Sequence, residues 1–379
     1  MKQKLSIAVT IIAILGIIGC IICACSGPDS GKSEKPFYIA GNIPLTGPIA
    51  SFSGQYSKGF IMGIDDACAQ LGIDRKGFKT DFQDNAGQPT TAVTVMQKQL
   101  MSDVPDVYVS GTSGMSDAII PEISRKDIPH FLVSFDAFMT RDNPLTFRVL
   151  PNFKIEAPLF LKFISGKDSK RIFFFTPNLK AYLEQSNKLI LPELKQKGID
   201  YKRELFEFNQ KDYRPIAAKA NQYNPDVIVI SGYSFHLYPI IRALREYDLI
   251  NKSAVICTLD YIDLLHGNTP KDELKNIAFT SPECEIPGKV QEFARWREKF
   301  RQSYGSLPSY VDAYAYDTAR IIVDAHSKER KVDFEGIRSV MPFDGIVGRI
   351  DLDDERDLSS TLVIGYLNKE GVIEEWRAK

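Results

Sequence analysis

The sequence predicts an α/β protein with two similar lobes, each built on a doubly wound parallel sheet. Strands and helices alternate from Pro36 onward, which is typical of βαβ units. Strands such as "RIFFF" (171–175) and "DVIVIS" (226–231) are continuous apolar runs, as expected where helices cover both faces of a sheet. The alternation begins again after "FRVLP" (147–151), so we expect two lobes rather than one large sheet.

The predicted elements follow this alternation along the chain. In the first lobe we expect strands at 37–44, 79–85, 107–109 and 131–133, with helices at 54–71, 90–101 and between the last two strands. In the second lobe we expect strands at 171–177, 202–208, 226–232 and 254–260, with helices at 152–166, 179–197, 213–222 and 235–247. Two long helices at 290–304 and 309–326 and a run of short strands after residue 342 then break the pattern. This C-terminal part suits a chain that crosses between the lobes more than once.

Length and composition set the broad class. The chain has 379 residues, of which 44% are hydrophobic and 25% charged, so it can bury the cores of two domains. The formal net charge is −1. This value argues against nucleic acid as a main partner, because neutralising phosphates requires a surplus of Lys and Arg.

The N-terminus has the pattern of a secretory signal. A basic "MKQK" precedes a charge-free stretch that is nearly all aliphatic from Ile7 to Ile22. We interpret residues 1–25 as a lipoprotein signal peptide in which Cys25 is acylated, with Cys20 as the alternative, and residues 26–35 as a flexible tether. An uncleaved membrane anchor is the competing interpretation, since about 20 apolar residues can span a bilayer.

The three cysteines beyond the leader cannot all pair within the chain. Cys68 lies on a helical pattern and is expected to be a buried small hydrophobe. Cys257 and Cys284 could pair if their segments are neighbours, although free cysteines are common in protein cores.

Five loops follow the predicted strands, at the edge where open parallel sheets bind ligands. The loops are "PLTGPIASFSG", "SGTSGMSD", "SFDAFMTRDN", "SGYSFHLY" and "TLDYIDLL". Hydroxyls and free N–H groups at a helix N-terminus can bind a carboxylate, so "SGTSGMSD" (110–117) is a candidate cradle for a small polar group. The alternative is that Ser113 or Ser116 is only the helix N-cap and the glycines form a tight turn.

Known catalytic and metal motifs do not fit the sequence. No lysine follows Gly114 as a phosphate-binding loop requires, and Ser113 does not lie in G-x-S-x-G. The histidines are scattered without zinc-ligand spacing. The acidic stretch 351–357 lacks the glycine and closing glutamate of an EF-hand loop, so we interpret it as a solvated turn. We expect no enzymatic activity, cofactor or metal.

Several segments together resemble the type I periplasmic binding proteins of the leucine/isoleucine/valine class. They are "NIPLTGPIASFSGQYSKGFIMGIDDACAQLG", "DFQDNAGQPTTAVTVMQKQL", "VYVSGTSGMSDAIIPEISRKDIPHFLVS", "FRVLP", "NPDVIVISGY" and "FDGIVGRIDLDDERD". The likeness covers the chain from about Pro36 to its end. It implies two lobes joined by three hinge crossovers. Lobe 1 would contain residues 36–148 and about 284–344, and lobe 2 residues 149–283 and about 345–379.

The resemblance also implies a function. The protein would be an extracytoplasmic, lipid-anchored solute-binding protein of an ABC-type uptake system, at the periplasm or outer cell surface. It would hold a small amino-acid-like or related organic ligand between the lobes and dock on a membrane permease. Two alternatives remain: a ligand-sensing receptor component with the same fold, and a serine hydrolase that uses Ser113 or Ser110.

Matching the family motifs residue by residue implies a set of ligand-binding positions. Ser113, or Thr112 if the register slips, would hold a ligand carboxylate. Phe52 and Tyr233 fall at aromatic positions of the family, and Asp260 lies near the acid that holds an α-ammonium.

One loop departs from the family pattern. Many members have a small residue and a threonine where this chain has "SFDAF" (134–138), which brings in Asp136 and Phe138. This difference argues against a simple branched-chain amino acid as the ligand. A cationic, amide-like or aromatic ligand is our hypothesis, with Phe52, Phe138, Tyr233 and Tyr261 as an aromatic box. The alternative for each ring is core packing.

Overall fold

A computed structural model describes residues 35–141 and 143–377. The predicted signal peptide and its cysteines Cys20 and Cys25 lie outside the described residues, as does the tether up to residue 34. Within the described part of the chain, no helix is both long and apolar enough to cross a membrane.

The first lobe is built on a five-stranded parallel sheet in the order β2-β1-β3-β4-β5. Its strands are β1 (Phe37–Ile43), β2 (Phe78–Asp84), β3 (Val107–Gly111), β4 (His130–Val133) and β5 (Thr146–Arg148). Its helices are α1 (Ala50–Ser53), α2 (Tyr56–Leu71), α3 (Pro89–Ser102) and α4 (Ser113–Arg125). Every residue of β3 and β4 is buried, as the continuous apolar runs predict for strands covered on both faces.

The second lobe is built on a seven-stranded sheet in the order β15-β14-β10-β9-β8-β6-β7. Its strands are β6 (Arg171–Pro177), β7 (Asp200–Phe206), β8 (Val227–Ile230), β9 (Ala254–Cys257), β10 (Ile277–Pro282), β14 (Leu362–Leu367) and β15 (Ile373–Glu375). Its helices are α5 (Phe153–Ser165), α6 (Lys180–Glu184), α7 (Leu191–Gln196), α8 (Arg214–Tyr223), α9 (Ser234–Glu246), α10 (Leu249–Lys252) and α11 (Tyr261–His266). The first five strands of the lobe are parallel, and β14 and β15 add an antiparallel edge.

The chain passes three times between the two sheets. It leaves β5 for α5, leaves β10 for two long helices of the first lobe, and returns to β14 through a small antiparallel sheet. The elements of this last part are α12 (Gln291–Tyr304), α13 (Tyr310–Glu329), α14 (Phe334–Arg338), β11 (Phe343–Gly345), β12 (Gly348–Leu352) and β13 (Leu358–Ser359). The α/β architecture with two lobes confirms the predicted fold class.

Two glycines bring α2 against α13. A Cβ at Gly59 would lie 2.2 Å from the Asp312 carbonyl oxygen, and one at Gly63 would lie 2.3 Å from that of Tyr316. Only glycine permits this approach of the two backbones. The long C-terminal helix is therefore packed directly onto the first lobe.

The structure differs from the sequence-based expectations in several places. Strand β10 and helix α11 were not predicted, and β9 ends at Cys257 because residues 258–260 turn into α11. The predicted helix 179–197 contains a π-helical segment, Gln185–Ile190. Cys68, Cys257 and Cys284 are all free and buried, so Cys257 and Cys284 do not pair in this structure.

The interpretation of residues 351–357 as a solvated turn is wrong for Asp357. This side chain is buried, and both its oxygens accept hydrogen bonds from the Arg148 guanidinium, at 2.6 and 2.7 Å. The acidic stretch meets the first crossover here, at an isolated bridge between the backbones of Arg148 and Asp357. The ion pair thus joins the first and third crossovers.

Candidate ligand-binding cleft

A cavity of about 550 Å³ lies between the lobes, at the carboxyl ends of strands from both sheets. The first lobe contributes Pro48, Ile49, Gly87, Gln88, Pro89, Thr112, Ser113, Gly114, Met115, Asp117, Phe135 and Asp136. The second lobe contributes Phe153, Leu179, Lys180, Ala181, Tyr182, Phe208, Asn209 and Tyr233. The volume and the mixed lining, mostly apolar with a few polar groups, are those of a small-molecule site.

The N-terminus of α4 forms one end of the cavity. Thr112 is the N-cap residue, and its side chain makes no capping bond. The first backbone bond of the helix runs from Ser116 N to Thr112 O, at 2.8 Å. The N–H groups of Ser113, Gly114 and Met115 donate to no acceptor in the described part of the chain, so three donors face the cavity end, where an anion would be stabilised.

Neither serine of this loop is the N-cap. The Ser113 hydroxyl is hydrogen-bonded to that of Ser134 at 2.8 Å, and the Ser116 hydroxyl to that of Ser110 at 2.7 Å. These bonds connect the start of α4 to the loop after β4, through Ser134, and to β3, through Ser110. The N-cap interpretation of Ser113 and Ser116 is therefore wrong, because the N-cap is Thr112, one residue before Ser113 and four before Ser116.

The loop after β4 places a buried carboxylate on the cavity wall. Asp136 is only 2% exposed and lines the cavity. Its Oδ1 accepts from the Phe138 N–H at 3.0 Å, and its own N–H donates to Ser134 Oγ at 3.1 Å. Burial raises the pKa of Asp136, and the hydrogen bond from Phe138 opposes the rise.

Five aromatic rings from both lobes form a closed circuit of contacts, which we call the aromatic wall. Its ring-centroid distances are Phe52–Phe135 5.4 Å, Phe135–Phe153 5.6 Å, Phe153–Tyr182 4.9 Å, Tyr182–Tyr233 6.1 Å and Tyr233–Phe52 5.9 Å. Four of these rings line the cavity, and Phe52 lies behind them. Spacings of this order are typical of favourable aromatic pairs, so the wall holds the lobes together along one side of the cleft.

Of the eight predicted ligand-binding residues, Thr112, Ser113, Asp136 and Tyr233 line the cavity. The other four lie elsewhere. Phe52 is buried in the aromatic wall, and Phe138 lies outside the cavity with the Lys188 ammonium 4.5 Å from its ring centre. For all eight residues, contact with a ligand stays a prediction.

The remaining two predicted residues, Asp260 and Tyr261, are buried and do not line the cavity. Tyr261 donates to the Leu274 carbonyl and stacks on Phe279 at 4.8 Å. Burial raises the pKa of Asp260 well above its usual value, with nearby Glu156 adding to the effect. Of the four rings expected to form an aromatic box, only Tyr233 lines the cavity.

Other cavity residues were missed by the sequence analysis. Lys180 and Phe208 follow β6 and β7, whose carboxyl ends point to the same cleft, so the rule that selected the other loops would also have found them. Lys180 Nζ forms an ion pair with Asp117 across the cleft at 2.6 Å.

His236 positions two of the cavity loops without lining the cavity. Its Nε2–H donates to the Phe208 carbonyl at 2.8 Å, and its Nδ1 accepts from Tyr233 N at 3.3 Å. Burial lowers the pKa of His236 to about 4, so the ring is neutral at physiological pH.

The serine hydrolase alternative finds no support in the geometry. Ser110 Oγ lies 2.7 Å from His130 Nε2, but both side chains are fully buried and neither lines the cavity. Burial lowers the pKa of His130 to about 3, and no acceptor among the described residues bonds its Nδ1. A reacting atom could not reach this pair. Among the described residues, no His, Cys, Asp and Glu cluster could hold a metal ion.

Two α/β lobes with a cavity between them, which has a helix N-terminus at one end and aromatic rings along one side, define a bilobal small-molecule-binding protein. The family model "Periplasmic binding protein" matches residues 36–369, and the chain belongs to this family. The motif-based prediction of the family is confirmed, and the members are binding proteins rather than enzymes.

The chain is similar to named relatives over most of its length. It is 23% identical over 375 residues to "Leu/Ile/Val-binding protein homolog 2" of Brucella abortus, covering 94% of this chain and 95% of the relative. The substrate-binding protein LivJ of Streptococcus pneumoniae, solved with isoleucine, superposes with a TM-score of 0.77 at 18% identity, over 90% of this chain and 98% of LivJ. A solute-binding protein of Rhodopseudomonas palustris, solved with 3,4-dihydroxybenzoic acid, superposes with a TM-score of 0.76 at 16% identity, over 90% and 98% of the two chains.

Proposed function

We propose that the protein is the lipid-anchored solute-binding component of an ABC-type uptake system, acting outside the cytoplasm. The family membership and the names of the relatives support this role and imply a membrane permease as partner. The observation that carries the proposal is the cavity between the lobes, which has both a helix N-terminus and aromatic side chains in its wall.

The anchoring part of the proposal rests on the leader sequence. An apolar segment followed by "CACSGPDS" supports acylation at Cys25, with Cys20 as the alternative. The proposed lobe boundaries are residues 36–148 with about 284–344, and 149–283 with about 345–379. Mass spectrometry of the membrane-extracted protein tests the anchor: a diacylglycerol adduct on an N-terminal Cys25 is expected, and an intact leader would contradict it.

The ligand is a small organic solute with a carboxylate. The free N–H groups at the start of α4 would bind the carboxylate, with Ser113 or Thr112 beside it. Tyr233 faces the same cavity from the second lobe. A ligand that contacts both lobes binds the closed cleft better than the open one, and this difference drives closure.

A thermal-shift screen over amino acids, amides, polyamines and aromatic acids tests the proposal. A ligand at 100 times its Kd should stabilise the protein by about 2.7 kcal/mol. Ser113→Ala and Tyr233→Phe should remove most of the shift and leave the ligand-free melting temperature nearly unchanged. Ser303→Ala, at an exposed position on α12, is the matched control and should keep the full shift. If no solute in the screen binds, the proposed function is wrong.

A further inference from the structure

The cavity wall contains one carboxylate, that of Asp136, which forms no ion pair with a described residue, although the charges of Lys180 and Arg148 act on it from a distance. In Asp136, Oδ1 accepts the Phe138 N–H, whereas none of the hydrogen bonds and ion pairs between described residues uses Oδ2. The other carboxylate of the wall, Asp117, is already paired with Lys180. A desolvated carboxylate is costly unless it is paired, so Asp136 is the group whose charge a ligand could balance.

Asp136 lies beside the anion-binding end of the cavity. The Ser134 hydroxyl contacts both the Ser113 hydroxyl, at 2.8 Å, and the Asp136 N–H, at 3.1 Å. One serine therefore connects the start of α4 with the loop that carries the carboxylate. A site for a negative group and a site for a positive group adjoin on the same lobe.

The aromatic wall continues this surface. Phe135, next to Asp136, is a member of the wall and lines the cavity with Tyr182 and Tyr233. Aromatic faces attract cations. Tyr182 lines the cavity, whereas its hydroxyl is buried and has no hydrogen-bond partner among the described residues.

Asp260 does not offer the same contact in this structure. It is 1% exposed and absent from the cavity lining. Burial raises the pKa values of Tyr182 and Tyr233, which do line the cavity, and Asp260 adds to the effect. A positive group placed in the cavity meets Asp136 directly.

We propose that Asp136 is a specificity-determining residue that binds a cationic nitrogen, so that the protein selects zwitterions. The ligand carboxylate would lie on the N–H groups of α4 and its ammonium on Asp136 Oδ2. This inference rests on the proposed function. An analogue that lacks the ammonium leaves Asp136 unpaired, and sites of this kind reject such analogues strongly.

Matched pairs of probes test the inference on the wild-type protein by isothermal titration calorimetry. The pairs are L-leucine with 4-methylpentanoate, L-phenylalanine with 3-phenylpropanoate, and 4-aminobutanoate with butanoate. We expect at least one ammonium-bearing probe to bind about 30-fold or more tightly than its partner. Equal affinities, tighter binding of the deaminated acids, or no binding by any of the six would each overturn the inference. The proposed function fails only if the broader screen also finds no ligand.

Asp136→Asn separates a charge contact from a structural role. Asparagine keeps the shape and the Oδ1 acceptor for the Phe138 N–H, so the fold should persist. We expect a loss of about 30-fold for the ammonium probe and less than about 3-fold for its deaminated partner. Asp136→Glu should restore part of the preference, and Glu298→Gln, which removes a charge from exposed α12, should leave it unchanged. Equal losses for both members of a pair would show that Asp136 only shapes the loop, and the inference would be wrong.

Discussion

Removing the Arg148 guanidinium should destabilise the protein more than any loss of a surface ion pair. Arg148 is fully buried, and its Nη2 donates to both oxygens of Asp357. Asn152 Nδ2 donates to the same carboxylate at 2.8 Å, and Arg148 Nη1 donates to the Asp136 carbonyl. Arg148→Met keeps most of the side-chain stem and removes the charge, so the change isolates the polar contacts.

The magnitude follows from burial. Exposed pairs contribute about 0.2–1 kcal/mol, whereas removing one partner of a buried pair costs about 3–5 kcal/mol because the other charge stays buried without compensation. The orphaned Asp136 carbonyl adds to this cost. Folded proteins are stable by about 5–15 kcal/mol in total, so Arg148→Met should remove a large part of the free energy of unfolding.

Urea-induced unfolding followed by circular dichroism and tryptophan fluorescence measures this loss. Burial already raises the pKa of Asp357 in the presence of Arg148. In Arg148→Met the folded-state pKa should rise further above the unfolded value, so the variant should be less impaired at pH 5 than at pH 8. The double variant Arg148→Met/Asp357→Leu should recover most of the stability. A loss below about 1 kcal/mol, or additive losses in the double variant, would refute the reasoning.

Three further predictions follow from packing and charge. Gly59→Ala should cost about 1–3 kcal/mol in unfolding free energy, because its Cβ would lie 2.2 Å from the Asp312 carbonyl oxygen. Gly77→Ala, with open space around its Cβ, is the control, and equal effects would contradict the close packing. Burial raises the pKa of Asp312 to about 7. The native state therefore holds this proton more tightly than the unfolded chain, and stability should fall as pH rises from about 4 to 7. Asp312→Asn should reduce that slope, and an unchanged pH profile would count against the raised pKa. Lys180→Ala should weaken ligand binding by no more than about 5-fold at low salt and have no effect at high salt, since its pair with Asp117 is exposed. A salt-independent loss would indicate a direct ligand contact.

The sequence predicted the elements whose signals are local. Apolar runs such as "VIVI" (227–230) mark strands that are buried on both faces, and the structure places β8 there. Strand β10 was missed because its pairing with β14 comes from a segment about 80 residues later in the chain. The π-helical segment 185–190 carries no local sequence signal that distinguishes it from an α-helix.

The cleft was only partly predictable for a related reason. The position of a residue at the carboxyl end of a strand is readable from the sequence, but the direction of its side chain depends on packing. Tyr233 faces the cavity, whereas Tyr261 follows the next strand and is buried against Phe279. The five rings of the aromatic wall are spread along the chain from Phe52 to Tyr233. No local pattern in the sequence therefore predicts that they meet.

Arg148 also connects the hinge to the ligand site. One side of its guanidinium bonds the Asp136 carbonyl in the cavity wall, and the other bonds Asp357 in the third crossover. The position of the Asp136 carboxylate therefore depends on the arrangement of two crossovers that a hinge motion would change. A ligand that binds Asp136 only in this position has a higher affinity for one arrangement of the lobes than for the other. Such a difference in affinity is what allows a ligand to drive closure. For this reason Asp357→Asn, which touches no cavity residue, should weaken the binding of an ammonium-bearing ligand more than that of its deaminated partner, as calorimetry with the same probe pairs would measure. Unchanged affinity for both probes would show that the hinge and the ligand site are independent.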